Sequence, residues 1–205
     1  MALLDENTKK QVKEFLASMD GDVSLSLNIR KDDCEHCSDV KELLEEISAL
    51  TDNVKLVVNE VGGDEKAPTI TIKGKNKGSM TYYGIPAGHE FGAFLTAIKE
   101  ASKGDSDIID GETKKGIQTI KEGVNIKVFV TPACGYCPAA AVTAYAFALL
   151  NGNVTTEVYE SMEFPNEANK YRVRAVPKVV INDKVEFEGA IPPDMFLKKV
   201  ESALE

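Results

Sequence analysis

All four cysteines of this 205-residue chain fall into two C-x-x-C pairs, Cys34/Cys37 in "DDCEHCSDV" and Cys134/Cys137 in "ACGYCPA". Thiols at this spacing hold a metal ion or exchange electrons through a disulfide. On one helical turn their Cα atoms stand about 5 Å apart, inside the ~4.4–6.8 Å disulfide window. Such a pair opens and closes with little backbone movement. At a helix N-terminus, free N–H groups and the positive end of the macrodipole favour a thiolate. Cys34 and Cys134 are therefore the expected nucleophiles, and Cys37 and Cys137 the resolving thiols.

Metal is the rival chemistry, since four thiolates would complete a structural zinc site. Yet zinc pairs in one site usually lie within a few tens of residues. Here residues 38–133 intervene, and each pair heads its own apolar helix. No metal site is expected. A zinc-binding thiol scaffold is the competing reading, as is a subunit-bridging iron–sulfur cluster, and metal analysis of the purified protein separates them from redox work.

The elements that must position the cysteines occur twice. "DENTKK" from Asp5 and "DGETKK" from Asp110 share D-x-x-T-K-K, and each precedes a strand, "VSLSLNI" or "NIKVFVT". Each strand runs into its C-x-x-C and a helix: "SDVKELLEEISAL", apolar on one face, or "PAAAVTAYAFALL", apolar almost all round and so more deeply buried. A second strand follows, then an x-Pro opening a β-branched strand ("APTITI", "VPKVVI"), a hairpin partner and a closing amphipathic helix. A helix-capable segment, "MEFPNEANKYRV", precedes Pro177, whereas only "EVGGDEKA" precedes Pro68, so the first copy is expected to lack that helix.

A strand, C-x-x-C and helix within a βαβ unit is the thioredoxin-like pattern. The expected fold is α/β: two tandem thioredoxin-like domains, 1–104 and 105–205, each a central mixed sheet flanked by helices, joined into one continuous sheet. In this fold a cis-proline faces the cysteines and leaves the preceding residue's main chain open to an extended substrate. Ala67–Pro68 and Val176–Pro177 are the candidate substrate-binding pairs.

The dipeptides between the cysteines tune the two sites differently. Asp32, Asp33 and Glu35 oppose a thiolate at Cys34, while a protonated His36 would support it. Around Cys134 stand Pro132, Gly135, Tyr136 and Pro138, with no acid in the sequence nearby, so the lower thiol pKa is expected at Cys134. His36 itself is expected to point outward. His89 reads as a helix-start or packing residue, and Tyr82, Tyr83 and Phe91 as core.

Composition narrows the partners. With 24 Lys and Arg against 33 Asp and Glu, the net charge is −9, without a basic cluster for nucleic acid or an anionic membrane. The start, "MALLDENTKK", lacks the order of a signal peptide, and no apolar run approaches the ~20 residues of a membrane span. A cytoplasmic location is expected.

The segments "IRKDDCEHC", "YYGIPAGHEF", "VFVTPACGYCP", "VRAVPKVVI" and "VEFEGAIPPDMFL" together resemble the glutaredoxin-like protein disulfide oxidoreductases of archaea and thermophilic bacteria, over essentially the whole chain. The second motif is similar to the glutaredoxin C-P-Y-C, with Gly135 in place of proline. The chain is also similar to the N-terminal domain of the alkyl hydroperoxide reductase flavoprotein, whose first unit lacks the cysteines retained here as Cys34 and Cys37. The resemblance implies thiol–disulfide exchange on proteins, with no cofactor beyond the redox-active disulfides. It implies electrons from a thioredoxin-reductase-like flavoprotein, with disulfide-bearing proteins as substrates and a peroxiredoxin as an alternative recipient.

Overall fold

A computed structural model describes residues 3–205. The repeated D-x-x-T-K-K is a helix cap. Asp5 accepts the Thr8 N–H at 2.7 Å and starts α1 (Glu6–Leu16). Asp110 accepts the N–H groups of Glu112 and Thr113 and starts α4 (Gly111–Gln118). Each carboxylate satisfies donors that a first turn leaves unpaired. The Thr8 N–H at Asp5, and the Thr113 hydroxyl (2.6 Å) and N–H at Asp110, hold both aspartates below their ordinary range.

After α1, β1 (Val23–Ile29), α2 (Cys37–Ala49) and β2 (Val54–Glu60) make a parallel crossover. The antiparallel strands β3 (Thr69–Lys73) and β4 (Ser79–Tyr83) follow, and α3 (His89–Lys103) closes the unit. The second unit repeats this order after α4. It comprises β5 (Val124–Val130), α5 (Cys137–Leu150), β6 (Val154–Glu160), α6 (Pro165–Lys170), β7 (Lys178–Ile181), β8 (Val185–Glu188) and α7 (Pro193–Leu204). The registers coincide: Val23 faces Val54 as Val124 faces Val154, and Ser26 faces Thr71 as Lys127 faces Val180. Parallel pairing of β4 with β6 fuses the halves into one eight-stranded sheet, β2-β1-β3-β4-β6-β5-β7-β8, with β2 and β8 at its edges.

One face of the sheet carries the main core, to which every helix except α6 contributes. On the other face α6 covers a second cluster built on Phe129, Tyr159 and Val180. By register, the matching residues of the first unit are Asn28, Asn59 and Thr71, and no helix joins β2 to β3. An uncovered sheet face must be solvated, and β1 alternates accordingly, with Val23, Leu25 and Leu27 buried and Ser24, Ser26 and Asn28 on the open side. The Asn59 amide donates to Ser26 Oγ at 2.9 Å and to Asn28 Oδ1 at 3.2 Å.

Enclosure explains why α5 is apolar all round. It packs against β4, β5 and β6 on one side and against α3 and α4 on others. The Tyr145 hydroxyl donates to the Thr81 carbonyl of β4 at 3.2 Å, and Phe147 meets Phe196 of α7 at 5.0 Å between ring centres. The loop between β3 and β4 caps the last carbonyls of α5, with Gly78 N–H on Ala148 O (2.7 Å) and Lys77 N–H on Leu149 O (3.2 Å). At Gly78 a Cβ would press on Val154 O and lie 2.6 Å from Asn151 O. Gly78→Ala should therefore lower the unfolding free energy by about 1–3 kcal/mol, the cost of forcing atoms into a packed site, read from urea denaturation.

Candidate redox site

Both C-x-x-C pairs are closed as disulfides, each with Cα atoms 5.4 Å apart. The helices begin at the second cysteines, so Cys34 and Cys134 sit on the approaching turns rather than within the first helical turn. That shift leaves the outer sulfurs half-buried and the inner ones buried, Cys37 at 5 % and Cys137 at 0 % exposure. A substrate therefore meets Cys34 or Cys134 first.

The sulfurs are held differently. At the second pair the Cys137 N–H donates to Cys134 Sγ at 3.1 Å, so a helix N-terminal donor points at the outer sulfur. At the first pair the bonded sulfur is the inner one, Cys37, which accepts the Arg30 N–H at 3.5 Å. A donor on the outer sulfur stabilises the thiolate formed there on reduction.

Ala67–Pro68 and Val176–Pro177 are both cis peptide bonds. Each proline carbonyl is tied from behind, Pro68 O by the Gly84 N–H (3.1 Å) and Pro177 O by the Gly189 N–H (2.8 Å). Both glycines hold positive φ, 108° and 85°, which a side chain would strain. Among the described residues, neither Ala67 nor Val176 spends its own N–H or C=O on another residue. Those groups stay available to an extended chain.

A groove of about 870 Å³ opens at the first pair. It brings together Cys34, Glu35 and His36 with Ala67 and Pro68, and reaches Pro132, two residues before Cys134. Its far wall is the segment from Glu160 to Glu167 of the second unit. His36 does not point away from the protein: it is half-buried, lines the groove, and its Nδ1 lies 3.9 Å from an Asp39 oxygen. Gly135, Tyr136, Val176 and Pro177 lie outside this groove; Tyr136 is 76 % exposed beside the second pair. Among the described residues, no group of three or more His, Cys, Asp or Glu is arranged to hold a metal ion.

Two buried carboxyls, Glu90 and Glu160, and a half-buried one, Glu163, stand near these elements without any motif to announce them. Glu160 and Glu163 line the groove. Glu163 accepts the Ile85 N–H at 2.8 Å, and Glu160 accepts the Glu163 N–H at 2.7 Å. Burial, with Glu160 and Glu35 close by, pushes the Glu163 carboxyl up against the opposing pull of Ile85 and His36. Glu90 lies in the first turn of α3, beside His89, whose N–H bonds Pro132 O at 2.9 Å. It is fully buried with both oxygens unpartnered, and burial pushes it up to about 8. A signal for Glu90 does exist in the sequence: it falls on the stripe of Ala93, Phe94, Ala97 and Ala101 that α3 buries.

Residues 124–202 match the thioredoxin domain family. Over 98 % of its length, the chain superposes on 95 % of a protein disulfide oxidoreductase from Aeropyrum pernix, at 30 % identity and a TM-score of 0.88. The chain belongs to the protein disulfide oxidoreductase family. An alkyl hydroperoxide reductase protein of Staphylococcus aureus is 26 % identical over 99 % of this chain, but only 39 % of that protein's length is matched. The chain thus spans about two fifths of the curated relatives it matches. An alkyl hydroperoxide reductase protein of Enterococcus faecalis shares the fold, with a TM-score of 0.86 at 19 % identity, over 96 % of this chain and 99 % of that one.

In this chain Glu90 gives stability a pH signature. Its carboxyl ionises near 4.5 when unfolded and near 8 when folded, so stability is highest below the first value and falls as pH rises through the second. Glu90→Gln cannot ionise. Urea midpoints should show no gain over the parent chain at about pH 4 and a clear gain above about pH 8.

Proposed function

We propose that the protein exchanges thiols and disulfides on protein substrates, with Cys134/Cys137 as the principal centre and Cys34/Cys37 as a second. The observation that carries this reading is the half-buried outer sulfur of each pair above a buried inner one, at the start of a helix. In the reducing direction the Cys134 thiolate attacks one sulfur of a substrate disulfide. The Cys134–substrate bond forms, the substrate S–S bond breaks, and the other substrate sulfur leaves as a thiolate that takes a proton. The Cys137 thiolate then attacks Cys134 Sγ, releases the second substrate thiol and closes the 134–137 disulfide. Two electrons and two protons pass to the substrate, and a reductant must return them. Val176, with its free main chain, and Pro177 are proposed to align the substrate at Cys134, and Ala67 and Pro68 at Cys34. Gly135 and Tyr136 at one centre, and Glu35 and His36 at the other, set the difference between them.

A thioredoxin-reductase-like flavoprotein is the proposed electron donor, and the cytoplasm the proposed location. A second reading has the chain relay electrons from such a flavoprotein to a peroxiredoxin. It rests on the similarity to the alkyl hydroperoxide reductase protein of Staphylococcus aureus.

Insulin reduction driven by dithiothreitol separates the centres. Cys134→Ser should lower turnover by about tenfold or more, while Cys34→Ser keeps most of it. Equal activity of both variants and the parent would overturn the assignment. In the reduced protein at about pH 6, iodoacetamide should alkylate Cys134 faster than Cys34, because only Cys134 receives a helix N–H. Peptide mapping by mass spectrometry reads the order directly.

A further inference from the structure

The groove at Cys34 has a charge problem that the protein alone does not solve. Asp33, Glu35, Asp64 and Glu65 line it from the first unit, and Glu160 and Glu163 from the second. Glu167 lines it too, and against these acids the lining sets two cations, Lys66 and Arg30. Lys66 pairs with Glu167 at 2.9 Å and donates to the Tyr159 hydroxyl at 3.2 Å. The Arg30 guanidinium is engaged by the carbonyls of Asp33 (3.2 Å) and Gly63 (3.5 Å). His36 lines the groove with its Nδ1 3.9 Å from an Asp39 oxygen. At the bottom of the groove Glu160 is 2 % exposed, and its Oε1 has no hydrogen-bond partner, nor has Glu163 Oε2. A buried carboxyl oxygen without a donor is costly, and an incoming cation with N–H groups relieves it.

We propose that the Cys34 groove is a specificity pocket for a basic side chain, so that this centre selects disulfides whose half-cystine lies next to Arg or Lys in an extended segment. Glu160 and Glu163 are the receiving residues. The geometry fits an extended polypeptide: the free main chain of Ala67 borders the same groove as Cys34, and the acidic pair lies across it on the second unit. The groove's carboxyls do not converge on a point as metal ligands would. An arginine or lysine head carries several N–H donors, and the groove offers two carboxyl oxygens that have none. The selectivity is therefore built at the joint between the units, and belongs to neither alone.

The inference rests on the proposed exchange at Cys34, and the test keeps the two apart. The full chain carrying Cys134→Ser and Cys137→Ser reports on the first centre only. It is given two short cyclic disulfide peptides, identical except for Arg or Glu beside one half-cystine, with dithiothreitol as reductant. The Arg peptide should show a kcat/KM about tenfold or more higher, and adding Glu160→Gln and Glu163→Gln should bring the ratio close to one. Gln keeps the acceptors for Ile85 and Glu163 N–H, so the fold is preserved while the charge is lost. A second readout uses the same sequences with serine for cysteine, linear, titrated into the oxidised chain by calorimetry. Exchange without an Arg preference, or with a Glu preference, overturns the inference. Absent exchange with Arg-selective binding that the Gln substitutions abolish upholds the pocket and overturns the redox reading of Cys34. Absent exchange without selective binding overturns both.

Discussion

The pairing of β4 with β6 is the constraint on which the rest depends. Five residue pairs, from Ser79–Thr155 to Tyr83–Tyr159, bind two four-stranded sheets into one. Because that seam is parallel, the C-terminal ends of β4 and β6 emerge together, where the groove lies. The turn after β6 then becomes the far wall of the groove at Cys34. The seam also carries α3 of the first unit over α5 of the second, which makes α5 the most enclosed helix of the chain. Tyr83 and Tyr159 stack across it at 4.2 Å, and Lys66 reaches from the loop bearing Pro68 to the Tyr159 hydroxyl. The redox elements of the first unit are thus anchored on the second.

The two centres share a backbone and differ in what surrounds it. At Cys134 the local field comes from a helix start, with the Cys137 N–H aimed at the outer sulfur. At Cys34 the donor goes to the inner sulfur instead, and the open space in front is lined with carboxyls. On the reading proposed above, the first setting would favour a ready thiolate whatever the substrate, and the second would make reaction conditional on what arrives.

Much of this is legible in the sequence because the repeat encodes it with local signals. Asp5 and Asp110 cap helices, x-Pro opens β3 and β7, and the even alternation of "VSLSLNI" marks a strand bare on one side. The missing helix is legible too, since "EVGGDEKA" is too short and too polar to make one. What cannot be read are consequences of the seam. Its place between the two cysteines points His36 outward; in the fold it lines a groove whose other wall lies more than a hundred residues away. Glu160 and Glu163 look like ordinary surface acids in "VYESMEF", and only tertiary packing buries the first and half-buries the second.

Two separate units of this kind would expose four sheet edges, and fusing them through β4 and β6 leaves two. An open edge is a template on which another chain can pair, and natural sheets blunt it with charge and brevity. β8 does both, being four residues long and carrying Glu186 and Glu188. β2 is longer and exposes Val57 and Val58, with Lys55, Asn59 and Glu60 spaced along it. In colloidal terms the tandem arrangement halves the sticky perimeter per redox centre, and charged residues guard what remains.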